Sequence, residues 1–198
     1  APLSMSLDPH AIDNPNTVIE TTDTMRHEEL IHLILSQEKS LILCGPPGAG
    51  KTMSLYAVLQ NSPEIDLVNL NFSKETDPNT LLRALEQCCE YKRNPDGFVL
   101  RPKTVGKRVV VFADEINLPK PDEYGTQTVI AFLRQLIEKK GFWRVSKKQW
   151  VSLQDIQFVG ACNPSADAGR YELTDRFLSH TPLIMVDYPG VESLFQIY

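Results

Sequence analysis

A chain of 198 residues with 42% hydrophobic and 23% charged residues has enough apolar material for one domain with a sizeable core, or one domain with a short extension. Its net charge of −5 argues against a chain whose main work is neutralising nucleic-acid phosphates, and no apolar run approaches the roughly 20 residues of a membrane helix. No secretory signal opens the sequence, and Cys44, Cys88, Cys89 and Cys162 form no CxxC pair, so a reduced, intracellular setting is expected and the glycosylation-like Asn71-Phe72-Ser73 is accidental.

Residues 1–17, with Pro2, Pro9 and Pro15 among acidic and amide residues, read as a linker or extended lead-in. Asp23 or Thr24 is placed to cap a helix whose apolar stripe is Leu30, Ile31, Ile34 and Leu35. Leu41 to Cys44 reads as a short buried strand, and Thr52 to Gln60 as a helix. Between them lies Gly45-Pro46-Pro47-Gly48-Ala49-Gly50-Lys51-Thr52, followed by Met53, which fits the phosphate-binding pattern GxxxxGK followed by Ser or Thr. Glycines there let the backbone curl so that amide N–H groups and the helix N-terminus face an anion. Lys51 would reach the β- and γ-phosphates of a nucleotide, and the Thr52 hydroxyl would ligate Mg2+.

Leu67 to Phe72 is a second strand, and Asp77-Pro78 starts a helix with Leu81, Leu82, Leu85 and Cys88 on one face. The turn Asn94 to Gly97 separates Tyr91-Lys92-Arg93 from Phe98-Val99-Leu100 and predicts a hairpin. Val109 to Ala113 is a continuous apolar run, as a central parallel strand buried on both faces requires. Thr126 to Lys140 is a strongly amphipathic helix that Gly141 would end, and Phe142–Val145 with Trp150–Leu153 predicts a second hairpin. Ile156 to Cys162 and Leu183 to Asp187 complete five core strands. Strands alternating with helices give an α/β, three-layer sandwich around a five-stranded parallel sheet, with two β-hairpin insertions.

The Val109–Ala113 run delivers Asp114-Glu115 to the carboxyl end of a strand, where ligands bind in open α/β sheets. Asp114 is placed to hold Mg2+ opposite Thr52, and Glu115 to activate a water for attack on the γ-phosphate. Asn163 ends the run Phe158 to Cys162 and presents a neutral amide at the same edge, where it could bind that water or the phosphate. On local sequence alone, an Asn that merely forms a turn before Pro164 fits as well.

Together these stretches resemble the phosphate-loop, acidic-strand and sensor elements of AAA+ P-loop NTPases. Asp114-Glu115-Ile116-Asn117-Leu118-Pro119, Tyr124-Gly125-Thr126-Gln127, Gly141-Phe142-Trp143 and Val159-Gly160-Ala161-Cys162-Asn163-Pro164 further resemble the cytoplasmic dynein heavy chain family, nearest the third of its six AAA+ modules, over about Val18 to Tyr198. The resemblance implies an ATPase binding ATP/ADP and Mg2+, with catalytic Lys51, Glu115 and Asn163, that regulates microtubule-based motility in a cytoplasmic motor ring. It implies as partners the neighbouring modules of the same heavy chain, regulators docking near this module (the lissencephaly protein among them) and, indirectly, the microtubule. It also likens Asp23 to Arg26 to the segment near the adenine, and Arg176 to the arginine finger that serves the preceding module's nucleotide, with Arg170 as the substitute. Residues 18–198 then correspond to the large subdomain, and the helical lid and neighbouring module that complete such a site would be missing, so turnover by the chain itself should be slow.

A second reading is a remodeller of the midasin or helicase type acting on ribosome assembly or nucleic acid. Trp143, Trp150, Arg144, Lys147 and Lys148 could then form a stacking and phosphate-binding platform. The acidic net charge favours the alternative, in which both tryptophans pack the hairpin onto the core and nucleic acid is not a partner. A third reading, nucleotide as a structural staple without hydrolysis, is disfavoured by Glu115 and Asn163.

Overall fold

The computed structural model describes residues 21–95 and 97–197. The lead-in expected over residues 1–17 lies outside them, as does Asp96 in the first hairpin turn. The core elements in chain order are α1 (Thr22–Ser36), β1 (Leu41–Cys44), α2 (Lys51–Gln60), β2 (Ile65–Asn71) and α3 (Pro78–Cys88). After them come the hairpin strands β3 (Cys89–Asn94) and β4 (Gly97–Pro102), β5 (Arg108–Asp114), α4 (Thr128–Lys139), and the strands β6 (Gly141–Arg144) and β7 (Gln149–Leu153). The chain continues through β8 (Ile156–Cys162), α5 (Asp175–Leu178), β9 (Leu183–Met185) and α6 (Val191–Ile197).

The five predicted core strands form one parallel sheet in the order β2-β5-β8-β1-β9. Side chains alternate across it, so the apolar run of β5 serves both faces. Val110 and Phe112 pack with Ile31 and Leu35 of α1 and Leu55 and Val58 of α2. Val109, Val111 and Ala113 pack with Leu81 and Leu85 of α3 and Leu133 and Leu136 of α4. Each fully buried Val or Leu contributes about 1.5–3 kcal/mol relative to exposure, and helices on both sides of the sheet give both faces of the run that burial.

Three local expectations are corrected. The cap of α1 is Thr21: its hydroxyl accepts from Thr24 N at 3.2 Å while Thr24 Oγ1 accepts from Thr21 N at 2.7 Å, a reciprocal capping box. Asp23 is drawn elsewhere, accepting from Ser193 Oγ at 2.6 Å and tying α1 to α6. The buried stripe of α1 is narrower than expected, with Leu30 about half exposed. Helix α4 ends with Lys140 in the left-handed region, at φ 45°, and Gly141 instead opens β6. A Cβ on Gly141 would lie 2.6 Å from Val151 O and 2.7 Å from the Trp150 ring, so close approach is what requires glycine there.

The two hairpins are also not separate. Strands β4 and β7 pair in parallel, Phe98 opposite Val151 and Leu100 opposite Leu153, and join the hairpins into a second sheet of order β3-β4-β7-β6. Phe142 and Val151 face inward and are fully buried, which puts their neighbours Trp143 and Trp150 outside. The tryptophans are 54% and 41% exposed, so they do not pack the hairpin onto the core. Arg144 stacks instead on Tyr91, 4.0 Å from the ring centre, linking the two hairpins.

Candidate nucleotide site

The glycine-rich loop joins β1 to α2 at the carboxyl edge of the sheet. Gly48 and Gly50 take φ values of 79° and 87°, which other residues adopt only at a cost, and Gly50 is the N-cap of α2. Gly45 is fixed differently: a Cβ there would sit 1.8 Å from Val186 O. Helix α2 opens with Lys51, one residue earlier than the sequence suggests, and carries Thr52 and Met53 in its first turn. The buried Lys51 turns back beneath the loop, where Nζ donates to Gly45 O at 2.8 Å, Pro46 O at 2.9 Å and Asn163 Oδ1 at 3.0 Å.

The loop amine and the amide at the end of β8 therefore meet. Asn163 is buried, and its backbone oxygen accepts from Asn117 Nδ2 at 2.8 Å. That bond ties the segment after β5 to the segment after β8, reinforced by Ile116 N donating to Ala161 O at 3.0 Å. An Asn that only formed a turn would not need a side chain directed at the loop lysine. Asn117 and its bridge are legible only as part of the longer motif; local sequence gives it no role.

Asp114 closes β5 with its Oδ1 accepting from Glu115 N at 2.9 Å. Glu115 takes φ 58°, a left-handed conformation uncommon for a non-glycine residue and frequent at functional turns. Its Oε2 pairs with Arg170 Nη1. Arg170 is thus brought into the site of its own chain, contrary to its expected use as a substitute finger toward a neighbour. Arg176 lies apart, exposed on α5 beside a cleft of about 310 Å3 lined by Gln127, Ile130, Arg134 and Tyr171. Neither the phosphate loop nor Asp114 or Glu115 borders that cleft. Tyr188 also reaches the loop, its hydroxyl donating to Pro47 O at 3.0 Å, a contact 141 residues apart that no local pattern announces.

The donor set suits Mg2+ bound to a nucleotide. Among the described residues no three His, Cys, Asp or Glu side chains cluster as a self-sufficient metal cage. One hydroxyl (Thr52) and one carboxylate (Asp114) suit a cation that keeps waters and takes its remaining ligands from phosphates. The open space around the Cβ positions of Gly48 and Gly50 leaves their backbone free for close approach by an anion. A cleft of about 390 Å3 at the opposite, amino-terminal edge of the sheet, lined by Ser40, Arg108 and Gln157, shows no comparable convergence.

Comparison with known proteins agrees with this geometry. The family model described as the P-loop containing dynein motor region matches residues 8–189. The cytoplasmic dynein heavy chains of Fusarium vanettenii, Dictyostelium discoideum and Drosophila melanogaster are each 54% identical to this chain over 98% of its length. The chain spans only about 4% of each of those relatives. A putative ATPase from Cytophaga hutchinsonii has the same fold, with a TM-score of 0.59 at 18% identity over 95% of this chain and 53% of that one. The resemblance carried by the residues from Asp114 to Pro119 and from Val159 to Pro164 is thereby shown, and the chain belongs to the dynein heavy chain motor-region family, with the AAA+ P-loop fold.

Proposed function

We propose that this chain is an ATP-binding and ATP-hydrolysing AAA+ module that regulates a dynein motor ring, corresponding to the third module of such a heavy chain. The observation that carries the reading is the convergence of Lys51 Nζ and Asn163 Oδ1, 3.0 Å apart, at the sheet edge where β5 delivers Asp114 and Glu115. The loop amides and Lys51 bind the phosphate chain, neutralising charge that grows on the bridging oxygen as it leaves. Mg2+, held by Thr52 and Asp114, would offset charge on the β- and γ-phosphates. Glu115 accepts a proton from water as the water oxygen bonds to the γ-phosphorus, while the bond to the bridging oxygen breaks and ADP departs. Asn163 orients that water or a γ-oxygen through its neutral amide.

Arg176, exposed and away from these residues, serves the nucleotide of the preceding module in this reading. Neighbouring modules of the heavy chain and regulators docking near this one are the direct partners, and the microtubule is reached indirectly. The dynein relatives favour this reading, in a cytoplasmic, cytoskeleton-associated setting, over a midasin-like remodeller; among the described residues, no helix is long and apolar enough to cross a membrane. The test is Glu115→Gln in the heavy chain that carries these residues. Bound ATP should persist at this site with unweakened affinity while hydrolysis there stops, and turnover equal to wild type would remove Glu115 from its role.

A further inference from the structure

Glu115 has two carboxylate oxygens in unlike surroundings. Oε2 is fully buried against Arg170, whereas the side chain as a whole remains 32% exposed. Exposure therefore belongs to the rest of the group, which includes Oε1. One oxygen is held and the other is left able to face a water.

Arg170 is itself held for this task. Its side chain is only 14% exposed, and Glu115 is its only ion-pair partner among the described residues. The next residue, Tyr171, donates its backbone N–H to Asn117 O at 3.0 Å, and Arg170 N donates to Asp167 O at 3.2 Å. The segment after β8 is thereby fastened to the same turn that carries Glu115, and Asn117 fastens that turn to Asn163. Glu115 lies in the turn directly after β5, at φ 58°, and without a partner its carboxylate would be free to change rotamer. A planar guanidinium with fixed donor directions suits the job of preventing that better than a flexible ammonium would.

Resting on the hydrolytic reading of the site, we propose that Arg170 is a positioning residue for Glu115, acting within its own chain. It fixes Oε2 so that Oε1 takes the proton from the attacking water. The relationship matches that of an orienting carboxylate behind a catalytic histidine, with the charges reversed: the partner does not react, and it sets the geometry of the group that does.

The experiment uses the heavy chain that carries these residues, with the turnover of this site read as the ATPase activity lost on Lys51→Ala. Arg170→Met should lower the kcat of this site roughly 10- to 100-fold while KM for ATP changes less than about twofold. Arg170→Lys should recover part of the loss, and in a Glu115→Gln background Arg170→Met should cause no further loss. Melting temperature and the affinity for a fluorescent ADP analogue, measured on the same variants, separate positioning from unfolding. Undiminished kcat in Arg170→Met, with Glu115→Gln inactive, overturns the inference alone. So does weakened ADP binding at an unchanged melting temperature, which would make Arg170 a nucleotide ligand. Full turnover in Glu115→Gln overturns the hydrolytic reading beneath it.

Discussion

Lys51 Nζ and Asn163 Oδ1, 112 residues apart in sequence, lie 3.0 Å apart because β1 and β8 are neighbours in register, with Cys44 opposite Cys162. Each strand ends at the same level, so the residue just beyond β8 meets the loop that follows β1. Adjacency of strands, rather than any local motif, makes one site from the two halves.

The first prediction follows from Lys51, which donates two hydrogen bonds to loop carbonyls and a third to Asn163. Nucleotide that binds the folded state alone adds about 2.7 kcal/mol at a hundredfold excess over Kd. ADP with Mg2+ should therefore raise the melting temperature of this chain, and Lys51→Ala should abolish the rise. A shift of the same size in the variant would place the nucleotide elsewhere.

Glycines in the loop should differ sharply in what a methyl group does. At Gly45 the added Cβ meets Val186 O at 1.8 Å, and Val186 N is in turn bonded to Cys44 O at 2.7 Å, so neither backbone can yield. Gly45→Ala should lower stability by about 3 kcal/mol or more. At Gly50 a Cβ meets nothing within 4 Å, and only the left-handed φ of 87° opposes it, which costs about 1–2 kcal/mol. Urea unfolding of both variants checks the ranking; equal losses would show that the close approach of β9's continuation is not what fixes Gly45.

Local signals served this chain well where one segment answers one question. The run Val109 to Ala113 reads as a doubly buried strand and Gly45 to Thr52 as a tight turn into a helix, and the structure has both. They fell short where the answer depends on a distant competitor. Asp23 is as good a cap as Thr21 until Ser193, 170 positions away, claims its carboxylate. The hairpins read as separate because nothing near Phe98 signals a parallel pairing with Val151. The tryptophans look like core by composition, yet strand alternation gives the inward positions to Phe142 and Val151. Arg170 and Arg176 read alike in sequence, and only the bonds from Tyr171 and Asn117 separate a site residue from an exposed one.

Cysteine reactivity offers a prediction unconnected with nucleotide. Donation from the Cys89 thiol at 3.5 Å pulls the half-buried Cys88 down to about 7, while burial pushes Cys162 up to about 12. Thiolate, not thiol, is the reactive form. Iodoacetamide at pH 7.5 should modify Cys88 well before Cys162, and the Cys88 rate should fall as pH drops through about 7. Mass spectrometry of the labelled peptides checks the order; faster modification of Cys162 would contradict it.

Arg176 sits on a four-residue helix, exposed, beside a cleft that neither the phosphate loop nor Asp114 or Glu115 borders. A residue so placed should leave the affinity of this chain for its own nucleotide untouched, and its guanidinium is free to meet a phosphate held by another module. An arginine supplied in that way is worth about 10³ or more in rate. Arg176→Ala is therefore best measured twice. In the 198-residue chain, binding of a fluorescent ADP analogue should match wild type. In the intact heavy chain, hydrolysis at the preceding module should slow, while Arg170→Met should act on this module's own turnover and leave the preceding one alone. Weaker binding in the short chain would put Arg176 in its own pocket. Slowing of the preceding module by Arg170→Met, with Arg176→Ala silent, would exchange the two roles.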